Sequence, residues 1–208
     1  DALDDMGIAD ETTVVFTTDN GGRGTVPGGD ESRLPTNHPL SGAKHSLLEG
    51  GVRVPFFARG PGIPAGTVCR TPVVGYDLLP TFADLAGGDG SYLTDEIDGI
   101  SIRSLLEGAD APLDRPVEGL IFHRPDNLFS AIRQGDYKLM LYWQRNGEVD
   151  RRELYNVASN PTEEGHEVTN QHPEKAAALE KTLRDYLQAV DADKPAERKQ
   201  KNPKKKKP

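Results

Sequence analysis

An acid, an amide and two glycines follow the first strongly apolar run of the sequence. The run, residues 12–18 (TTVVFTT), is β-branched and aromatic without alternation, which predicts a strand covered on both faces. Ligands of α/β sheets bind beyond the carboxyl ends of such strands, and Asp19 and Asn20 stand at that end. Their oxygens suit a hard cation, and Gly21 and Gly22 let the backbone turn sharply away. Asp-Asn-Gly is also ordinary turn chemistry, and this stretch alone favours the turn.

Three further elements are predicted around this strand end. Residues 23–40 are rich in Gly, Pro, Asp and Asn and indicate a long loop, of the kind that is either functional or disordered. Residues 52–58 (VRVPFFA) predict a second strand, which Pro55 restricts to an edge or an irregular position. Residues 77–86 predict a helix with Asp77 as N-cap and Gly87 at its end. Its predicted apolar face consists of Leu78, Leu79, Phe82, Leu85 and Ala86.

The pattern changes after Pro116. The short runs GLIFH, FSAIR, YKLMLYW and RELYNV predict an antiparallel sheet of about four strands, with a tight hairpin at residues 134–136. Pro173 opens a predicted helix whose apolar face should cover that sheet. The residues of that face are Leu179, Leu183, Tyr186, Leu187 and Val190. We therefore expect an α/β portion over residues 1–115, a small α+β subdomain over 116–190 and a basic tail over 191–208.

Composition limits the classes of function. The 208 residues are 35% hydrophobic and 28% charged, and no apolar stretch is long enough to span a bilayer. The opening DALDDMGIADET has no signal-peptide pattern, and a single cysteine allows no intrachain disulfide. The net charge is −8; residues 194–208 contribute eight Lys or Arg and one Glu, so this predicted disordered tail carries +7 and the remainder −15. An acidic body of this kind has no general attraction for nucleic acid, and no nucleic-acid partner is expected.

Several stretches, in order, resemble the C-terminal part of type I sulfatases, members of the alkaline phosphatase-like superfamily. The resemblance covers residues from about 3 to 187. The stretches are VVFTTDNGG, LSGAKHSLLEGGVRVPFFARGPG, YDLLPTFADLAG, SAIRQGDYKL and RELYNV. The resemblance implies the C-terminal part of a mixed-sheet α/β domain, whose N-terminal half would be a separate, missing segment, followed by a small α+β subdomain.

The resemblance also implies roles for individual residues. Asp19 and Asn20 match the acid–amide pair that binds Ca²⁺ in the family, with the other carboxylates coming from an earlier segment. Lys44 matches the lysine that contacts the sulfate group, where an ammonium supplies a compact positive charge. Its neighbour His45 is a weaker candidate for a hydrogen bond to substrate. His123, at the end of GLIFH, matches a position that can lie near the substrate pocket, although an ordinary surface histidine is an equal alternative.

Other polar residues of these stretches have simpler interpretations. Glu49 and Arg53 are expected to hold the turn into the second strand through local hydrogen bonds. The family nucleophile is a formylglycine made from Cys or Ser in C/S-x-P-x-R, and this chain lacks that pattern. Cys69, in VCRTP, has its Pro and Arg in the wrong places and is expected to be a small, partly buried apolar side chain.

The resemblance therefore implies a piece of a Ca²⁺-dependent sulfuric ester hydrolase that acts on sulfated small molecules or carbohydrates and is inactive as this chain alone. Two alternatives remain open from the residues: a phosphatase or phosphonate hydrolase of the same superfamily, and a noncatalytic module that binds sulfated glycans. A periplasmic or secreted location is suggested by the resemblance only.

Overall fold

The chain folds as two compact units. The structure, a computed structural model, describes residues 2–24, 36–88 and 97–195. Unit 1 contains residues 1–38 and 42–118, and unit 2 contains residues 39–41 and 119–208. Most of the predicted loop over 23–40 and most of the predicted disordered tail lie outside the described residues.

Unit 1 is built from short elements around a two-stranded antiparallel ribbon. Its strands are β1 (Val14–Thr17) and β2 (Phe56–Arg59), with Val14 opposite Arg59 and Thr17 opposite Phe56. Its helices are α1 (Ala2–Asp5), α2 (Glu49–Val52), α3 (Leu78–Leu85) and α4 (Arg103–Leu106), with 3₁₀ turns at Ala9–Glu11 and Gly75–Asp77.

The prediction that the first strand is covered on both faces is wrong for this chain. Burial alternates along β1, and Phe16 is 57% exposed. Its cross-strand partner Phe57 is 66% exposed, and the two rings contact each other with centroids 6.2 Å apart. The Phe16–Phe57 side of the ribbon is therefore an apolar surface open to solvent.

The second strand begins later than predicted. Val52 ends helix α2, and β2 begins at Phe56, directly after Pro55. Proline has no N–H to donate to a partner strand, so pairing starts beyond it. The turn role expected of Glu49 and Arg53 is confirmed: the Arg53 amide donates to the Glu49 carbonyl at 2.7 Å, and their side chains form an ion pair at 3.6 Å.

Helix α3 forms where expected, but it buries a different face. Leu79 and Phe82 are 60% and 47% exposed, whereas Pro80, Thr81 and Ala83 are buried. The Thr81 hydroxyl explains why this face of α3 is buried. It donates to the Asp77 carbonyl at 2.6 Å and accepts the Ile102 amide at 3.0 Å.

Asp77 directly precedes α3, but the predicted capping role is wrong, because its carboxylate makes no hydrogen bond to the first turn of that helix. It is fully buried, accepts the amides of Val74 and Ile100, and receives both terminal nitrogens of Arg115 at 3.0 and 2.6 Å. A paired guanidinium compensates for burying the charge. Asp77 therefore ties together three separate segments of unit 1.

Unit 2 confirms the predicted sheet and its covering helix. Strands β3 (Leu120–Arg124), β4 (Phe129–Gln134), β5 (Tyr137–Trp143) and β6 (Val149–Asn156) form an antiparallel sheet in that order, with the hairpin at residues 134–136 as expected. A 3₁₀ turn at Pro125–Asn127 links β3 to β4, and α5 (Pro173–Ala189) follows. The core between sheet and helix is formed by Ile132, Leu139, Leu141, Trp143, Leu154, Ala176, Leu179 and Leu183.

Two apolar residues lie elsewhere than predicted. Val190 follows the last residue of α5 and is 52% exposed, so it does not belong to the buried face. Cys69 is exposed rather than partly buried, and it lies in a stretch, residues 65–70, in which every residue is exposed. Within the described part of the chain, no helix combines the length and hydrophobicity that crossing a membrane requires.

Candidate functional site

The candidate site begins at the carboxyl end of β1. Asp19 is exposed and Asn20 is partly buried. The Asn20 amide nitrogen donates to the Gly21 carbonyl at 3.2 Å, and the Thr18 hydroxyl donates to the Asn20 carbonyl at 3.1 Å. The first bond uses the side-chain nitrogen of Asn20 and the second its backbone carbonyl, so the side-chain oxygen of Asn20 and the Asp19 carboxylate are the side-chain acceptors at the strand end.

Gly21 is required by a close approach of two backbone segments. Its amide donates to the Gly51 carbonyl at 2.9 Å, and a Cβ atom at position 21 would lie 1.8 Å from the Gly50 carbonyl oxygen. No side chain fits that distance without displacing one of the segments. The glycine after the acid–amide pair therefore lets the strand end pack directly against the α2 segment.

Lys44 lies in a tight turn that is bonded to the same strand end. The Ser46 amide donates to the Ala43 carbonyl at 2.8 Å, and His45 has φ +80°, as the third position of a type II turn requires. The Lys44 amide donates to the Gly22 carbonyl at 3.0 Å. A backbone hydrogen bond thus joins Lys44 directly to the segment that follows Asp19 and Asn20.

Asn37 fixes this arrangement and was not singled out from the sequence. Its side-chain oxygen accepts the Gly22 amide at 2.8 Å, and its nitrogen donates to the Gly22 and Gly42 carbonyls at 2.9 and 3.1 Å. One amide side chain therefore joins the strand end to the segment that leads into the Lys44 turn. The sequence signal that could have identified Asn37 was its place, seven residues before Lys44, in a stretch rich in turn residues.

The oxygen donors at the strand end fit part of a calcium site. Ca²⁺ takes about six to eight oxygen ligands, and a carboxylate with an amide oxygen is a usual combination. Among residues 2–24, 36–88 and 97–195, no three His, Cys, Asp or Glu side chains gather into a metal-binding group. Asp19 and Asn20 could therefore supply only a fraction of the ligands of such a site.

His123 lies in unit 2, on the side of the sheet that faces α5. Its Nε2 lies 2.7 Å from the Asp193 carbonyl, which can only accept, so Nε2 carries the proton. With that tautomer, Nδ1 accepts a hydrogen bond from the Ser130 hydroxyl at 2.7 Å, and the same hydroxyl accepts the indole N–H of Trp143 at 2.8 Å. Substrate contact by His123 stays a prediction, and a substrate would have to replace one of these bonds.

Comparison with known proteins places these features in a family. A family model described as "Sulfatase" matches residues 1–88. Human arylsulfatase A is 35% identical over 157 residues, which is 72% of this chain and 28% of that protein. The chain belongs to the sulfatase family. It spans little more than a quarter of the length of this curated sulfatase.

Solved sulfatase-like structures match nearly the whole chain. The structure of BT4656 in complex with its substrate D-glucosamine-2-N,6-O-disulfate gives a TM-score of 0.71 at 23% identity, covering 95% of this chain and 38% of that one. The crystal structure of Ps i-CgsB in complex with k-i-k-neocarrahexaose gives 0.70 at 27% identity, covering 94% and 40%. The predicted fold class, the C-terminal part of an alkaline phosphatase-like mixed α/β domain followed by a small α+β subdomain, is confirmed.

Proposed function

We propose that this chain is the part of a sulfatase that carries two calcium ligands and the lysine that contacts the sulfate group, in an enzyme that hydrolyses sulfate esters of carbohydrates. The observation that carries the proposal is the hydrogen bond from the Lys44 amide to the Gly22 carbonyl. It joins the turn that bears a cation to the strand end that bears Asp19 and Asn20.

Lys44 acts on the charge of the sulfate group. Negative charge in sulfate transfer is carried by the nonbridging oxygens, and a positioned ammonium stabilises it as a point charge. The turn at residues 43–46 fixes the backbone of Lys44, and its side chain is partly buried. Part of the conformational entropy that must be lost to position this cation is therefore already lost when the chain folds.

Asp19 and Asn20 would hold the calcium ion through their side-chain oxygens. A bound calcium ion supplies positive charge that polarises the sulfate ester. The donation from Asn20 Nδ2 to the Gly21 carbonyl fixes which end of the amide is available as a ligand. The missing ligands are assigned to a segment outside these 208 residues, in keeping with the 28% coverage of arylsulfatase A.

The nucleophile is assigned to that same outside segment. The sequence contains no C/S-x-P-x-R pattern from which a formylglycine is made, and Cys69 lies in an exposed stretch with a different pattern. The 208 residues alone are therefore expected to have no turnover. Sulfated carbohydrates are assigned as substrates because the two structural relatives described above were solved with saccharides.

The test uses a longer polypeptide in which the same 208 residues follow a segment that contains the nucleophile pattern. Asp19→Ala should lower both bound calcium, measured by mass spectrometry of the metal, and hydrolysis of an aryl sulfate. Asp10→Ala is the matched control, since Asp10 is an acid in an exposed 3₁₀ turn of the same unit. Unchanged calcium in Asp19→Ala would refute the metal assignment, and hydrolysis of aryl phosphate in preference to aryl sulfate would favour the phosphatase alternative.

A further inference from the structure

Four side chains form a straight row across the sheet of unit 2. Arg124 pairs with Phe129, Phe129 pairs with Tyr142, and Tyr142 pairs with Arg151 in the strand register. Residues directly opposite each other in antiparallel strands project from the same face. The row therefore places two arginines at the outer strands and two aromatic rings between them, on the face opposite α5.

Arg151 is held in place before any ligand arrives. Its guanidinium carbon lies 3.6 Å from the centre of the Tyr142 ring, and its Nε donates to Glu153 at 2.9 Å. The Tyr155 hydroxyl donates to the other oxygen of Glu153 at 2.9 Å. Partial burial opposes ionisation of Glu153, but hydrogen bonds from Arg151, Tyr142 and Tyr155 outweigh it and lower the pKa of that carboxyl. The Glu153 carboxylate is thus ionised and held in place, and its hydrogen bond orients the Arg151 guanidinium.

The outer edge of the same guanidinium remains accessible. The Arg151 side chain is 54% exposed, and its Nη1 lies 3.9 Å from the Asp150 carboxylate, beyond hydrogen-bonding distance. A guanidinium stacked on a ring presents its N–H groups in the ring plane, where two of them can bind two oxygens of one anion. Stacking and the Glu153 bond reduce the side-chain entropy that such binding must overcome.

The strands place more basic than acidic side chains on this face. The register puts Arg124, Arg133, Lys138 and Arg151 on it with Glu153 as the strand-borne acid. Lys138 is already neutralised by Glu163 in a buried ion pair. Among these strand positions basic groups are thus more frequent than acids, in a chain whose net charge is −8.

We propose that this row binds a sulfated saccharide, with Arg151, stacked on Tyr142, as the ligand of a sulfate group and Phe129 lying beneath the sugar. Sugar rings have apolar C–H faces that pack on aromatic residues, and their sulfates match arginine forks. With strands about 4.8 Å apart, the two outer strands are roughly 14 Å apart, which is enough for more than one sugar ring. The choice of a sulfated saccharide over other anions rests on the proposed function.

The test measures binding of a sulfated galactan oligosaccharide to the 208-residue chain by calorimetry at fixed ionic strength. Arg151→Ala should weaken binding by at least about tenfold, the loss expected for one charge-assisted contact, and Arg151→Lys should restore only part of it. Arg152→Ala is the matched control, because Arg152 is the next residue on β6, is 48% exposed, and binds Glu180 on the other face. It should bind as the unchanged chain does.

Two further arms separate the possible explanations. The desulfated oligosaccharide and inorganic sulfate should each bind at least about tenfold more weakly than the sulfated oligosaccharide, since each lacks one half of the recognition. Unchanged binding in Arg151→Ala, including binding through the basic residues 194–208, would overturn the proposal, as would equal binding of the desulfated sugar. Failure of aryl sulfate hydrolysis in the longer polypeptide, with Arg151-dependent binding intact, would overturn the proposed function and leave this site standing.

Discussion

The buried ion pair between Lys138 and Glu163 gives the sharpest stability prediction. Lys138 lies on β5 and Glu163 in the segment after β6, where it adopts φ +62°. Lys138 Nζ lies 2.5 Å from Glu163 Oε1, and both side chains are 0% exposed. Removing one charge leaves the other without its ion-pair partner in the interior, where water cannot replace the lost interaction.

The expected magnitude follows from that burial. Glu163→Gln should lower the free energy of unfolding by about 3–5 kcal/mol, the cost of breaking a buried pair on one side. For a unit of this size, each kcal/mol shifts the midpoint by about 4–8 °C, so thermal unfolding should move by more than 10 °C. The shift is measured by circular dichroism, and urea titration with an unchanged slope would attribute it to stability.

The neighbouring residue supplies the control. Glu164 is exposed, and its carboxylate accepts a long hydrogen bond of 3.4 Å from the Ser41 hydroxyl. Glu164→Gln should therefore change the free energy of unfolding by less than about 0.5 kcal/mol. A double change of Lys138→Met with Glu163→Leu should recover most of the loss, since no unpaired charge remains. A loss below about 1 kcal/mol in Glu163→Gln alone would refute the claim that this pair is buried and mutually dependent.

Three other predictions concern the isolated chain. The 208 residues should not hydrolyse an aryl sulfate, because they lack the nucleophile pattern; turnover by contaminant-free protein would show this to be wrong. The chain should self-associate in light scattering through the exposed rings of Phe16 and Phe57, and a monodisperse monomer with one sharp thermal transition would argue against it. Burial and then the Glu153 carboxylate raise the pKa of Tyr142 from 10.0 to about 12, so the contribution of Tyr142 to stability should be fully present below pH 10 and should be lost between there and about pH 12, as the unfolded tyrosine ionises and the folded one does not. Tyrosinate absorbance that rises at pH 10 in the folded Tyr142 but not in a Tyr142→Phe control would contradict this.

The sequence was sufficient for elements whose signal is local. The hairpin at 134–136 follows from turn residues between two apolar runs, and α5 follows from Pro173 and helical spacing of Leu179 and Leu183. Both predictions depend on interactions among residues close in sequence or on one amphipathic pattern. They were therefore accessible without knowledge of the remaining fold.

The errors occurred where burial depends on distant segments. The pattern of α3 favoured Leu79 and Phe82 as core residues, but hydrogen bonds from the Ile102 amide to Thr81 and from Arg115 to Asp77 turn the opposite side inward. These partners lie 21 and 38 residues away, and no local pattern encodes them. Likewise, the apolar composition of β1 predicted two covered faces, whereas the described chain covers one of them.

The sequence offered candidate site residues, but it did not show how the structure connects them. Asp19, Asn20 and Lys44 were recognised by resemblance, and their roles remain proposals. The contact between Gly21 and Gly50 and the two hydrogen bonds between Asn37 and Gly22 required coordinates, since they join segments separated by 15 residues or more. A glycine pair signals only that some close approach is possible.

Hydrolysis by Lys44→Ala tests the central claim most directly. In the longer polypeptide that contains the nucleophile, this change should lower kcat/KM for an aryl sulfate roughly 10²–10³-fold. That factor corresponds to a loss of about 3–4 kcal/mol of transition-state stabilisation. Lys44→Arg should recover little, because a planar fork does not reproduce a compact ammonium. Bound calcium and the thermal midpoint should stay near those of the unchanged enzyme, in contrast to Asp19→Ala. A near-normal kcat/KM in Lys44→Ala would contradict the assignment of this lysine to the sulfate group.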